Sequence, residues 1–185
     1  SKSKIAGYNA GFKIVRDMIN DKDFKAYIDK GLNEEIIKTI DLDENELKAF
    51  ANSVIERFNN PFIDHKLLDI SLNSVAKFKA RCLCSLLDYY NKFGKIPSVL
   101  SFAFAALINF YENFENKDYP VNDVESVLYF FKAKHNGIVF DVLANVGFWG
   151  EDLTKIDGLY KKVKAYFDDI KSLGISKAME KLLDE

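Results

Sequence analysis

The run SVLSFAFAALINFYENF, Ser98 to Phe114, is apolar on nearly every side of a helical projection. A helix of that kind is stable only when other elements surround it, so it is expected to be the central rod of a packed core. Its longest unbroken apolar piece, Phe102 to Ile108, is far shorter than the roughly 20 residues a bilayer crossing requires. The rest of the chain must therefore supply the walls.

The remaining pattern is helical. Leu47, Phe50, Ala51, Val54, Ile55 and Phe58 recur at i, i+3, i+4 and i+7 over Asp43 to Phe58, and Asp43 with Glu46 forms a capping-box start. Val75, Phe78, Cys82, Leu86 and Tyr89 repeat the stripe over Ser74 to Tyr90, as do Leu159, Val163, Tyr166, Phe167 and Ile170 before Gly174. Asn122 with Glu125 reads as another cap, opening a helix that Gly137 ends, and Ser176 to Leu183 closes the chain as a short amphipathic piece. Pro61, Pro97 and Pro120 fall between these segments, where lost backbone donors mark helix boundaries. Only Gly137 to Leu143, GIVFDVL, is β-branched enough to admit a strand, and its length leaves it open. The prediction is an all-α fold of about 8–10 helices in a single domain over residues 1–185.

Composition narrows the functions. With 48% hydrophobic residues, 3 Pro and 9 Gly in 185 residues, the chain belongs with packed globular domains. Its 26 Lys+Arg against 28 Asp+Glu give a net charge of -2, which leaves no global basic field for nucleic acid. The start SKSKIAGYNAG carries no signal-peptide pattern, so no membrane partner and a cytoplasmic location are expected. Cys82 and Cys84 suit neither a disulfide framework nor a metal site and read as two buried thiols. No G-x-G-x-x-G and no P-loop occurs, so the chain shows no phosphate cradle of its own.

Chemistry concentrates in two places. Between Val75 and Lys95 stand Lys77, Lys79, Arg81, Lys92 and Lys95 against the lone Asp88. On a helix Lys77 and Arg81 lie one turn apart and share a face. A guanidinium fork beside a mobile ammonium is an anion clamp suited to a small acidic sugar, or else two cations solvating an outer face. Arg57 to Ser74, RFNNPFIDHKLLDISLNS, is the second place. There His65 orients a substrate or pairs with Asp64, unless it is a scaffold residue beside the NNP turn. His135, in KAKHNG, reads as a partner for a helix C-terminus. Tyr89, Tyr90, Phe102, Phe104, Phe110, Tyr111, Phe130 and Phe131 stand at core spacing and are assigned no ligand.

The run FANSVIERFNNPFIDHKLLDISLNSVAKFKARCLCSLLDYY, Phe50 to Tyr90, resembles the mannitol dehydrogenase family in its hexuronate-reducing, tagaturonate reductase (altronate oxidoreductase) branch. The likeness lies in E-R-F-x-N-P-F-I-x-H, in S-L-N-S-V-x-K-F-K-x-R and in the following L-P-S-x-L, which this chain matches except at Cys84. GYNAGFKIVRDM, GLNEEIIKTI and LSFAFAALINFY extend it over most of the chain.

That resemblance implies a helical C-terminal domain that meets a nicotinamide-binding Rossmann domain across a substrate cleft. It implies metal-independent hydride transfer between NAD(H) and a hexuronate or its aldonate, with NAD held by the N-terminal domain. The family's acid–base lysine belongs to a K-x4-N-x2-H motif. The nearest match here, Lys4, Asn9 and Phe12, has Phe in place of His, so the catalytic lysine is expected upstream of residue 1 and the isolated chain is expected to be inactive. Lys77 matches the family's substrate-contacting lysine. The mannitol branch's arginine eight residues earlier is Asp69 here, which leaves Arg81, or in second place Lys79, as the carboxylate partner. Lys77, Arg81 and His65 are thus the expected substrate-binding residues. Cys84 stands where the family usually has Pro, so the helix from Ser74 is expected to run straight through. The other reading is a helical oligomerisation or regulatory module that keeps the fold without the chemistry. A face built to meet a partner domain also implies an exposed apolar patch and self-association.

Overall fold

The structure, a computed structural model, describes Gly7 and residues 10–112, 114–117 and 119–185. Lys4 and Asn9 of the near-match motif lie outside the described residues, as do Tyr8 and Asn113 of the runs quoted above. Among the described residues the regular structure is helical, and the one β-type contact is an antiparallel bridge between Ile14 and Lys66.

The helices are α1 (Val15–Asn20), α2 (Lys22–Lys30), α3 (Glu44–Phe58), α4 (Leu67–Ile70), α5 (Ser74–Phe78), α6 (Cys84–Phe93), α7 (Ser98–Tyr111), α8 (Glu125–Lys132), α9 (Ile138–Leu143), α10 (Val146–Trp149), α11 (Leu159–Leu173) and α12 (Ile175–Leu183). The predicted rod is α7. Phe102, Phe104, Ala105, Ala106, Ile108, Phe110 and Tyr111 in it have no exposed surface. α11 lies along it with Leu159, Val163, Tyr166, Phe167 and Ile170 buried, and α12 closes the same side. Phe104 lies tilted against Phe78 at 4.5 Å and edge-on to Trp149 at 5.0 Å, and Phe102 meets Tyr27 and Tyr166 edge-on. Each such ring contributes roughly 1.5–3 kcal/mol by leaving water.

The entrance to α7 is closed by a charge. A helix start leaves backbone N–H groups without partners, and here the buried Glu35 carboxylate accepts from Val99 N at 2.7 Å and Leu100 N at 2.8 Å. Glu35 reaches this point from a π-helical turn, Gly31–Ile36, that extends α2. Gly31 permits the approach, since a Cβ there would stand 2.7 Å from Val99 Cγ1.

α5 and α6 form one unbroken rod through a π-turn, Lys79–Leu83, and the rod ends at Gly94 in the left-handed region, φ 63°. With Cys84 in place of a proline the helix indeed passes through. The inserted turn widens it instead, with Cys84 Sγ 3.7 Å from the Lys79 carbonyl.

Several expectations are corrected. Residues 138–143 are helix and not strand, because Val139, Val142 and Leu143 supply an i, i+3, i+4 buried face that outweighs their β-branching. The Asn122–Glu125 cap does not form: α8 begins only at Glu125, so Val124 and not Asn122 stands at the cap position, and the helix starts without a side-chain cap and stops at Lys132 before Gly137. Cys82 is buried but Cys84 is exposed, since the π-turn shifts the face it occupies. α3 starts as predicted, with the Asp43 carboxylate accepting from Asn45 N and Glu46 N. None of its residues is buried, however: its stripe overhangs an apolar cavity of about 370 Å³ whose far wall includes Met18, Ile28 and Ile37.

Burial raises the pKa of the Tyr27 and Tyr111 hydroxyls, helped by nearby Glu35 and by the hydrogen bond to Asp123 respectively. Both stay protonated in the fold where the unfolded chain would ionise, above pH ~10. Stability is therefore fully present below that pH and is lost above it, by up to about 1.4 kcal/mol per pH unit for each tyrosine. Melting temperature should drop steeply above pH ~10, with the tyrosinate absorbance of these two groups appearing only on unfolding. Tyrosinate signal from both groups in the folded state would contradict this.

Candidate functional site

The corner between α4 and α5 carries Lys77. α4 ends at Ile70, where the last carbonyls of a helix lack partners. Asn73 then takes the left-handed conformation at φ 53° and ψ 46°, which asparagine tolerates better than most residues, and this turns the chain into α5. Ser74 Oγ donates to the Ser71 carbonyl inside the same corner. From the first turn of α5, Lys77 reaches back so that Nζ donates to the Ile70 carbonyl at 3.0 Å. The side chain is half-buried and spends one of its three donors on that tether.

Arg81 sits one turn further, within the π-turn, and is exposed. Among the described residues its guanidinium makes no hydrogen bond or ion pair.

The NNPF bend is held by Arg16 of α1. Its guanidinium donates to the Asn60 carbonyl at 3.1 Å and to Asp64 Oδ1 at 2.8 Å. Asp64 is thus taken by Arg16, and the predicted His65–Asp64 pair does not form. His65 is fixed by its backbone, whose carbonyl accepts from Val15 N at 2.9 Å, while its half-buried ring lies edge-on to Phe58 at 5.3 Å.

A second layer holds the corner from the α7 side. Ser74 N donates to Tyr111 Oη at 3.1 Å, Tyr111 donates in turn to Asp123, and Asn73 N donates to the Asn122 carbonyl at 3.0 Å. Sequence reasoning missed these residues. The one available signal was a tyrosine hydroxyl at the end of a largely apolar helix, which must find a partner when buried.

Two cavities lie elsewhere. One of about 400 Å³ is bounded by His135, Lys134, Tyr160 and Lys164, and the other is the apolar space under α3. Neither is lined by Lys77, Arg81 or His65. His135 fills the structural role expected of it, with Nε2 2.9 Å from the Phe130 carbonyl in the last turn of α8 and Nδ1 2.7 Å from Asp141 Oδ2.

The described residues do not fit a dinucleotide. No glycine-rich turn leads into a helix, and the N-terminus of α7 already holds a carboxylate that would repel phosphate. Among the described residues no group of three His, Cys, Asp or Glu is placed to hold a metal, and no helix is long and apolar enough to cross a membrane.

Comparison with known proteins follows the same line. The family described as Mannitol dehydrogenase C-terminal domain matches residues 4–171. Altronate oxidoreductase of Yersinia pestis is 36% identical over 183 residues, which cover 93% of this chain and 38% of that protein. Altronate oxidoreductase of Klebsiella pneumoniae (strain 342) is 38% identical over 184 residues, again across 38% of its length. The chain therefore spans less than two-fifths of these relatives. In three dimensions it matches Pseudomonas fluorescens mannitol 2-dehydrogenase, solved as a ternary complex with NAD and D-mannitol, with a TM-score of 0.84 at 16% identity, over 100% of this chain and 39% of that one. D-Sorbitol dehydrogenase in substrate-free form matches with a TM-score of 0.77 at 18% identity, over 96% of this chain and 37% of the other.

Proposed function

Because this chain belongs to the mannitol dehydrogenase C-terminal domain family, we propose that it forms the substrate-side wall of a hexuronate dehydrogenase of the tagaturonate reductase (altronate oxidoreductase) type. The whole enzyme transfers hydride between NAD(H) and a hexuronate or its aldonate. The dinucleotide and the acid–base lysine belong to an N-terminal domain that closes over this one. This chain's residues bind and orient. Identity of 36–38% to proteins named altronate oxidoreductase supports the acidic-sugar branch.

The observation that carries the reading is the state of Lys77. Its ammonium is anchored on Ile70 O and keeps two donors for a hydroxyl or carboxylate, with the unpartnered Arg81 one turn away to meet the substrate's carboxylate. His65 stands beside the bend as a secondary contact. Phe62, 93% exposed in the NNPF bend, fits a surface that the N-terminal domain covers. Separated from that domain, the chain self-associates through such side chains.

In the longer protein, Lys77→Met is expected to lower kcat/KM for tagaturonate, followed by NADH absorbance, about a hundredfold, equivalent to ~2.7 kcal/mol. Arg81→Met should raise the tagaturonate KM about tenfold. KM for NADH should stay unchanged in both, and the isolated chain should turn nothing over. Wild-type kcat/KM in both variants would favour a helical oligomerisation or regulatory module instead.

A further inference from the structure

We infer that Tyr111 and Asp123 are positioning residues for sugar recognition, fixing the first turn of the helix that bears Lys77. The inference rests on the proposed role of Lys77.

The Tyr111 ring has no freedom to move its hydroxyl. It is wholly buried, 4.9 Å from Phe131 and 5.4 Å from Phe110. Its oxygen stands at the start of α5, accepting from Ser74 N, and its proton is given to Asp123 Oδ2. The other oxygen of that carboxylate, Oδ1, accepts from Val124 N at 2.8 Å, so Asp123 is itself fixed to the loop. One residue back, the Asn122 carbonyl receives Asn73 N, the amide of the left-handed residue that turns the chain.

Two ties therefore hold one corner. Lys77 spans it on one side by reaching from α5 to the last carbonyl of α4. The loop at 122–124 grips it on the other, through two amides in succession and the Tyr111 hydroxyl. Removing the hydroxyl leaves Ser74 N without an acceptor and Asp123 without a donor, and the first turn of α5 is then free to shift. A displacement of about 1 Å in a binding group is enough to lose much of an oriented contact.

The test uses the longer protein, with tagaturonate and NADH as probes. Tyr111→Phe, which keeps the ring, should raise the tagaturonate KM about tenfold, leave the NADH KM unchanged and change kcat by less than about twofold. In a Lys77→Met background the same substitution should add nothing to the tagaturonate KM, because the group it places is gone. Asp123→Asn, which keeps an acceptor, should retain most of the wild-type KM. A lowered melting temperature with an unchanged tagaturonate KM would overturn the inference, and so would an effect additive with Lys77→Met. Wild-type behaviour of Lys77→Met alone would instead overturn the role of Lys77, and this inference with it. If Tyr111→Phe does not accumulate, Asp123→Ala, on a half-exposed loop, is read by the same KM and the same double-variant comparison.

Discussion

Replacing Glu35 by alanine is expected to destabilise the fold by about 3–5 kcal/mol, read as a lower urea midpoint at unchanged slope. Glu35 is 5% exposed, and its carboxylate accepts from Val99 N and Leu100 N in the first turn of α7 at 2.7 and 2.8 Å. Charge-assisted hydrogen bonds contribute roughly 1.5–3 kcal/mol each, and the positive end of the helix dipole adds to them. With the side chain gone, two buried donors lose their acceptor in a space that a methyl group cannot fill. Glu35→Gln keeps one acceptor oxygen and the volume, so its cost should fall between wild type and alanine. A Glu35→Ala loss below about 1 kcal/mol would mean that water replaces the carboxylate at no cost, and the cap would not be structural.

Phe104→Ala should cost as much, about 3–5 kcal/mol, for a different reason. The ring has no exposed surface and sits between Phe78 and Trp149, whose indole N–H donates to the Val142 carbonyl. Alanine would leave a void that α7, buried on every side, cannot collapse to fill. Phe78 also neighbours Lys77 in α5, so the same variant should loosen the site while the melting temperature falls. Phe104→Leu, with a smaller void, should recover much of the loss. A Phe104→Ala protein that melts within a few degrees of wild type would show that the rod is less tightly enclosed than its burial implies.

Much of the fold was legible because its signals are local. The stripes of α3, α7 and α11, the Asp43 cap and the stop at Gly174 all arise from neighbours in sequence, and each forms where predicted except that α7 ends at Tyr111 rather than at Phe114. What was not legible depends on partners far along the chain. Asn122 had the spacing of a cap, yet its carbonyl serves Asn73; Asp64 stood next to His65, yet Arg16 from α1 reaches it. No window of sequence contains both members of those pairs. The stripe of α3 promised burial and the structure gives only a shallow seat, since periodicity tells which face is apolar and not how closely another element approaches it.

The candidate site divides in the same way. The run around Lys77 and Arg81 was recognisable as a motif, and the tether to Ile70 gives Lys77 a defined position that composition could not. The clamp behind it was invisible, because Tyr111 read as one more aromatic in a core helix and Asp123 as part of a loop.

The enclosure of α7 also orders events while the chain is being made. Its principal cover, α11, is translated after it, so at roughly 5–20 residues per second a strongly apolar rod waits for several seconds with that side uncovered. During that interval nascent chains on one message are exposed to each other through a greasy helix. Holdase chaperones, or a folded domain synthesised ahead of this one, become the natural guards of the unfinished core.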